Sequence, residues 1–251
     1  AVTGLNNYLE CPWKYFYVNL LRIPQAQEKY FIFGTAVHEA LKDFFKHKNE
    51  LASEKEKKFL MDRFEFYLKE NTLSQNDFEE LFKKGEETLP IFYENRKNEW
   101  GNPAIPELSV TLVLSPKITL KGKIDKIEFL ENGTVKVTDF KTGHYKTRNE
   151  IEGKTKNSNG DILRQLVFYN LLLNKYKNSK YKMSVGEIDF VQPDEKMRNR
   201  RELFYIGGEE INELENLIKK TAVEIMNLSF MNSRCKDSGC QYCALRNMME
   251  S

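Results

Sequence analysis

The sequence predicts an α/β domain with a mixed central sheet, and three observations support this class. Apolar and polar residues alternate over 123–129 and 135–141, and Asn132-Gly133 between them is typical of a β-hairpin turn. Residues 161–176 have the apolar spacing of a helix and precede an alternating segment at 183–191, which predicts a crossover to a parallel strand. With 251 residues, 40% of them hydrophobic, the chain is long enough to bury a sizeable core.

The first hundred residues are predicted to be helical. Residues 3–22 favour two short helices interrupted at Cys11-Pro12, because proline disfavours a helical residue before it. Residues 33–45 carry apolar side chains at helical spacing and predict a core helix. Residues 50–100 predict a helical layer over the sheet rather than a separate domain.

The sheet is expected to begin after residue 106. Residues 107–114 predict the first strand, and a second strand from Lys117 leads into the hairpin, which gives an antiparallel meander of three strands. Asp161 is expected to cap the crossover helix. The remaining predicted elements are strands at 183–191 and 201–206 and a helix at 211–228.

Charge and hydropathy exclude some classes of protein. Lys and Arg number 39 against 37 Asp and Glu, so the net charge of +2 does not indicate a general nucleic-acid binder, and any surface for a polyanion must be local. No apolar run approaches the roughly 18 to 20 residues that span a bilayer. We therefore expect a cytoplasmic protein without a membrane partner. The start at Ala1 rather than Met suggests a piece of a longer chain.

The hairpin carries charged residues where a sheet usually meets its core. Asp139 and Lys141 are two apart on the second strand and share a face, and Asp125 can approach them from the first strand. Carboxylates beside a lysine are typical of Mg²⁺ or Mn²⁺ sites that hydrolyse phosphodiesters. The alternative is an exposed hairpin with a cross-strand ion pair and no catalytic role. Taken by itself, the D-x-K triplet favours this alternative, because single short motifs often match by chance.

Five sequence elements in order resemble one family. GKIDKI, VTDFKTG and RQLVFYN resemble the G-x-x-D, D-x-K and Q-x-x-x-Y motifs of the RecB-type PD-(D/E)XK nucleases. GTAVHEAL resembles the helix with a histidine that precedes them, and cysteines bracket the set. The resemblance implies a restriction-endonuclease-like core, with a helical insertion at about 50–100, in a single domain over residues 1–251. It also implies a longer helicase-nuclease chain.

The resemblance assigns roles to individual residues. The implied ligands of Mg²⁺ or Mn²⁺ are His38, Asp125, Asp139 and the backbone carbonyl of Phe140. Lys141 would position the attacking water or stabilise the transition state, and Gln165 and Tyr169 would orient Lys141 and the DNA. Without the resemblance, a lone His38 at the edge of an apolar helix face is more often a structural residue. Glu107 resembles a glutamate at the start of the family's first strand, without an assigned catalytic role.

The implied function is a metal-dependent DNA nuclease, active as an exonuclease on single-stranded or end-opened DNA in repair, with a helicase as partner. The first alternative is a catalytically silent DNA-binding or scaffolding domain of a helicase assembly. The second is a zinc-stabilised interaction domain, which would leave Asp125, Asp139, Lys141 and Gln165 without a use.

Three of the four cysteines lie near the end of the chain. Cys235, Cys240 and Cys243 form C-x4-C-x2-C, and Cys11 supplies a fourth thiolate from the other end. Such clustering in a cytoplasmic protein points to a 4Fe–4S cluster or a structural Zn²⁺ rather than disulfides. The resemblance favours iron–sulfur, although the related nucleases have C-x2-C before a later cysteine.

Two basic segments are candidate contacts for a phosphate backbone. One lies in the polar stretch after Gly143, which lacks an apolar period; its alternative is a mobile solvated loop. The other is the basic turn at 196–201. The candidate residues are Lys146, Arg148, Lys154, Lys156, Arg198 and Arg200.

Overall fold

The computed structural model describes residues 1–25, 28–177 and 179–249. Its helices are α1 (Val2–Glu10), α2 (Pro12–Tyr15), α3 (Lys29–His47), α4 (Ser53–Lys69), α5 (Gln75–Arg96), α6 (Arg148–Ile151), α7 (Asp161–Lys175), α8 (Gly208–Met226) and α9 (Gln241–Met249). Its strands are β1 (Ala104–Ser115), β2 (Ile118–Phe129), β3 (Val135–Lys141), β4 (Met183–Pro193) and β5 (Asn199–Phe204).

The strands form one mixed sheet in the order β1-β2-β3-β4-β5. Only the β3–β4 pair is parallel among these neighbours, because α7 carries the chain back between the two strands. In the β2–β3 turn Gly133 has a φ of 75°, a conformation that glycine adopts without strain. The predicted mixed sheet with flanking helices is therefore confirmed.

Helices cover the two faces of the sheet in separate apolar clusters. One cluster joins α7 and α8 to β2, β3 and β4, with Ile124, Val137 and Leu166 fully buried. The other joins α3, α4 and α5 to Phe140 and Val191 of the two parallel strands. The helical region predicted for 50–100 is thus α4 and α5, and it packs on the sheet through the second cluster.

Two local predictions need correction. The residue before α7 is Gly160, with a φ of 69°, so Asp161 is the first helical residue rather than the cap. The polar stretch after Gly143 contains α6, where the Glu150 carboxylate accepts hydrogen bonds from the N–H and hydroxyl of Thr147 at 2.7 Å each. Ile151 anchors this turn in the core. Periodicity did not reveal α6, because a four-residue helix buries too few side chains to show a period.

No helix in the described ranges has both the length and the apolar character needed to cross a bilayer.

Candidate active site

A cavity of about 450 Å³ opens between α3 and the first three strands. His38 reaches it from α3, Asp125 from β2 and Phe140 from β3. These residues come from distant parts of the sequence, and the antiparallel β2–β3 ladder and the packing of α3 bring them together.

His38 and Asp125 contact each other in this cavity. Oδ2 of Asp125 lies 3.3 Å from Nδ1 of His38 and accepts a 2.9 Å hydrogen bond from the backbone N–H of Phe140. Burial opposes charge on the imidazole, but the carboxylate of Asp125, helped by that of Asp139, outweighs it and raises the pKa of His38. The pair thus favours an ionised Asp125 beside a protonated His38.

Four side chains beneath this pair form a closed ring of three hydrogen bonds and one ion pair, here named the Asp139 ring: Asp139, Lys141, Gln165 and Tyr169. Nζ of Lys141 lies 2.7 Å from Oδ2 of Asp139 and donates to Oε1 of Gln165 at 2.8 Å. Nε2 of Gln165 donates to the Tyr169 hydroxyl at 2.7 Å, and that hydroxyl donates to Oδ1 of Asp139 at 3.2 Å. The ring fixes the Lys141 ammonium between a carboxylate and an amide.

The donor set fits a divalent cation. Asp125 and Asp139 offer the hard oxygen ligands that Mg²⁺ and Mn²⁺ prefer, and His38 adds an imidazole, a ligand type better suited to later transition metals. Oδ2 of Asp139 is buried and receives no well-oriented hydrogen bond from any described residue, despite its proximity to Lys141. In the described residues the ligand atoms of His38, Asp125 and Asp139 do not all lie within 4.8 Å of one another, and Asp139 does not line the cavity. The candidate ligand groups are therefore more widely spread than in a compact metal site.

The environment moves the pKa values of the two carboxyl groups in opposite directions. Burial raises the pKa of Asp139, Lys141 opposes that effect, and the negative charge of Asp125 adds to it. Burial also acts on Asp125, but His38 and the Phe140 N–H outweigh it and lower the pKa of that group. Two neighbouring carboxylates repel each other when both are ionised. A bound cation would offset that repulsion.

Glu107 enters the same cavity through an unusual backbone conformation. Its φ is 52°, and it lies between the ladder pairs Pro106–Lys126 and Leu108–Ile124, opposite Asp125. Non-glycine residues seldom adopt this conformation, and it recurs at functional sites. The Glu107 carboxylate pairs with Lys123 at 2.7 Å and with Lys42 at 3.1 Å.

Sequence reasoning missed Lys123 and Lys42, which line the cavity together with Glu39. Lys123 lies two residues before Asp125, so the period of a strand could have placed it on the same face. The i, i+4 spacing that relates His38 to Lys42 gives a comparable signal on α3.

The basic residues predicted to contact DNA lie outside this cavity. Arg148 pairs with Glu152 at 2.9 Å, and Lys154 pairs with the same carboxylate. Arg198 and Arg200 both pair with Asp194, at 3.0 and 3.3 Å. Lys146 and Lys156 are exposed. Their role as DNA contacts stays a prediction.

The four cysteines come together at a second site. Cys11 stands between α1 and α2, and Cys235, Cys240 and Cys243 approach it from the end of the chain. The Sγ atoms of Cys11 and Cys243, of Cys235 and Cys243, and of Cys240 and Cys11 are each 3.6 Å apart. All four sulfurs lie within 4.8 Å of one another, so the cluster can bind a metal.

The distances between the sulfurs bear on which of the two expected metal groups, Zn²⁺ or a 4Fe–4S cluster, the cysteines bind. A tetrahedral zinc with Zn–S bonds of about 2.3 Å places its sulfurs about 3.8 Å apart, close to the spacing found. In a 4Fe–4S cube each thiolate binds a different iron, so the sulfurs stand farther apart. The sulfurs as they stand are close enough to share one Zn²⁺, and the same four cysteines could instead bind a 4Fe–4S cluster.

The sequence profile of the PD-(D/E)XK nuclease superfamily matches residues 1–248. The chain belongs to this superfamily. A search of curated protein sequences found no match.

Two solved structures resemble this superfamily member. One is a candidate exonuclease from Eubacterium rectale, 12% identical, with a TM-score of 0.60 over 97% of this chain and 86% of that one. At this identity the likeness shows a shared fold alone. The restriction-endonuclease-like class follows from the superfamily profile and the five-stranded mixed sheet with its flanking helices. The other is the protein SSO0001, 14% identical, with a TM-score of 0.37 over 90% of this chain and 97% of that one.

Proposed function

We propose that the protein is a metal-dependent deoxyribonuclease that hydrolyses phosphodiester bonds. The observation that carries the proposal is the Asp139 ring, because it holds an ammonium and a buried carboxylate next to Asp125 and His38. A bound Mg²⁺ or Mn²⁺ would lower the pKa of a bound water and shield the charge of a phosphate. His38, Asp125 and Asp139 would hold this ion, and the Phe140 carbonyl stays a predicted further ligand.

Each ring residue has a distinct task in this proposal. Lys141 presents its ammonium to the reacting phosphate or its attacking water, and the Gln165 carbonyl oxygen fixes the direction of that ammonium. Tyr169 donates to Asp139 and so orients its carboxylate. Because these groups are held before substrate arrives, little reorganisation is needed during the reaction.

The proposed substrate is single-stranded or end-opened DNA, as predicted from the motifs. The exonuclease name of the Eubacterium rectale protein is consistent with action from an end. The RecB-type assignment, a role in repair and a helicase partner stay predictions.

The alternative of a catalytically silent DNA-binding domain has less support. Silent relatives usually lose the Asp or Lys of the central motif, whereas Asp125, Asp139 and Lys141 are all present here. Asp125 pairs with His38, and Lys141 contacts both Asp139 and Gln165. A zinc-stabilised interaction domain would likewise give no use to the buried Asp139–Lys141 pair or to the nearby Asp125–His38 pair.

For the cysteines we infer a single Zn²⁺ with a structural role, from the 3.6 Å separations of their sulfurs. A 4Fe–4S cluster, favoured by the sequence resemblance, is the alternative that metal analysis separates from it.

The test is cleavage of end-labelled single-stranded and duplex DNA with Mg²⁺, Mn²⁺ or a chelator, using anaerobically purified protein. Asp125→Asn and Lys141→Met should each lower cleavage at least about a hundredfold, the scale of a positioned catalytic group. Asp43→Asn is the matched control, since Asp43 binds Arg63 and Tyr67 instead. Retained metal-dependent cleavage in folded Lys141→Met would refute the assignment.

A further inference from the structure

The exposed face of the β1–β2 ladder carries hydroxyl and ammonium groups in register. Ser109 is opposite Lys123, and Thr111 is opposite Lys121. All four residues are exposed. They line a second cavity, of about 420 Å³, beside the one that contains Asp125.

This row of groups leads directly to the candidate active site. Lys121, Lys123 and Asp125 are two residues apart along β2, so they share a face at intervals of about 6.8 Å. Lys123 lines both cavities, and the second cavity is also bordered by Gln165 and Tyr169 of the Asp139 ring. A ligand that lies along the row would therefore reach the ring from one side.

The charge of the second cavity differs from that of its neighbour. Among the residues that the structure describes, no acidic one lines it, whereas the cavity at Asp125 also contains Glu39 and Glu107. Lys123 is held by Glu107 at 2.7 Å and Glu39 at 3.3 Å. Lys121 has no carboxylate within ion-pair distance in the part of the chain that the structure describes. An unneutralised ammonium beside exposed hydroxyls is the chemistry that binds phosphate oxygens.

We propose that this face, defined by Ser109, Thr111, Lys121 and Lys123 and here named the β1–β2 track, holds the phosphate backbone of one nucleic acid strand as it enters the active site. The proposal rests on the proposed nuclease function and names the path of its substrate. One strand is the fitting occupant, because a single row with one unneutralised ammonium, that of Lys121, can follow only one backbone. Phosphates next to the reacting one would meet Lys123 first and Lys121 second.

The test compares Lys121→Glu with Lys58→Glu, which makes the same charge change at an exposed site on α4. Binding of a fluorescent single-stranded oligonucleotide is measured by anisotropy with Ca²⁺ in place of Mg²⁺. Lys121→Glu should raise Kd at least tenfold, and Lys58→Glu should leave it within twofold of wild type. A plot of log K against log salt has a negative slope, and Lys121→Ala should make that slope less negative by about 0.7. This is the change expected for the loss of one phosphate contact on a single strand.

Cleavage kinetics separate the track from the chemistry. If the wild-type protein cleaves DNA, Lys121→Glu should raise KM and keep kcat within about twofold of the wild-type value. The reason is that Lys121 lies two positions beyond Lys123 and does not contact the Asp139 ring.

Equal Kd values for Lys121→Glu and Lys58→Glu, or no binding by the wild-type protein, would overturn the proposed β1–β2 track. The nuclease assignment would then depend only on its own cleavage test. Binding that depends on Lys121 without metal-dependent cleavage would support the track and refute the nuclease. Tighter binding of blunt duplex than of single strand would overturn the one-strand occupant.

Discussion

Asp139 is only 1% exposed, and its carboxylate is the point on which the candidate site depends. A buried carboxylate is costly unless its charge is compensated. Lys141 and Tyr169 supply that compensation in the Asp139 ring, and Gln165 connects them. Each ring member therefore affects the position and charge of the others, so single substitutions report on the ring as a unit.

This dependence predicts strong coupling between Gln165 and Tyr169. Gln165→Met and Tyr169→Phe should each lower kcat about ten- to a hundredfold, and the double variant should lose little more than either single one, because residues that act as a unit are non-additive. Cleavage rates of the four proteins in a double-mutant cycle measure the coupling. Tyr67→Phe removes a hydroxyl that binds Asp43 and serves as the control partner. Independent losses that add in free energy would contradict a connected ring.

The sequence identified several of these residues but not their arrangement. The two-residue spacing of Asp139 and Lys141 and the four-residue spacing of Gln165 and Tyr169 give shared faces, which local geometry fixes. The closure of the ring depends on how α7 packs against β3, a long-range contact that no spacing encodes. Glu107 illustrates the limit, because its left-handed conformation arises in the β1–β2 ladder and leaves no local signal.

At the scale of elements, the β4–β5 connection is held by one side chain. Oδ1 of Asp194 accepts hydrogen bonds from the backbone N–H groups of Lys196 and Arg198, at 2.9 and 3.0 Å. Its Oδ2 accepts from the guanidinium of Arg198, at 3.0 Å. The backbone N–H of Arg198, with the other donors, lowers the pKa of Asp194 from 3.8 to about 2.

This lowered pKa predicts a loss of stability in acid. Because the folded form binds the proton more weakly than the unfolded chain, Asp194 stabilises the fold above about pH 4, and this contribution disappears as the pH falls toward 2. Asp194→Asn cannot titrate, so its free energy of unfolding should depend less on pH over this range than that of wild type. Urea unfolding between pH 5 and 2 measures the difference. Parallel pH profiles of the two proteins would contradict the role of the turn.

Helices and strands were predictable where they are long enough for apolar residues to repeat at a regular spacing. Residues 135–141 were predicted as a strand and form β3, and the core helix predicted at 33–45 is part of α3. The short α6 was not predicted, because hydrogen bonds between Glu150 and Thr147 and a single buried Ile151 form it rather than an apolar stripe.

At the scale of the whole molecule, buried polar contacts fasten the helical layer to the sheet. Arg96 of α5 binds Asp189 of β4 through three hydrogen bonds, of 2.9, 3.0 and 3.3 Å, and donates another to the backbone oxygen of Asn199 at 3.0 Å. Sequence patterns predicted a helical layer over the sheet. They did not single out Arg96 among the many charged residues of the helices, because its partner lies 93 positions away.

The cysteine site connects the two ends of the described chain, since Cys11 and Cys243 are 232 positions apart. A bound metal that closes so long a loop restricts the unfolded chain, by about 5 kcal/mol on the scale of a cross-link over a hundred residues or more. It also holds α2 against α9, where Trp13 packs beneath Arg246 at 5.1 Å.

Removing the metal should therefore destabilise the whole fold. We expect one zinc per chain in anaerobically purified protein, and a Tm about 10–20 °C lower after chelation or in Cys11→Ser, because 1 kcal/mol shifts Tm by about 2–4 °C at this size. Metal analysis by mass spectrometry and thermal unfolding give both values. Zinc added back should restore the Tm of the chelated wild-type protein but should not raise the Tm of Cys11→Ser. Iron with acid-labile sulfide in wild type would contradict the single-ion site and establish an iron–sulfur cluster, whose larger sulfur separations would require Cys11 and the tail to move apart.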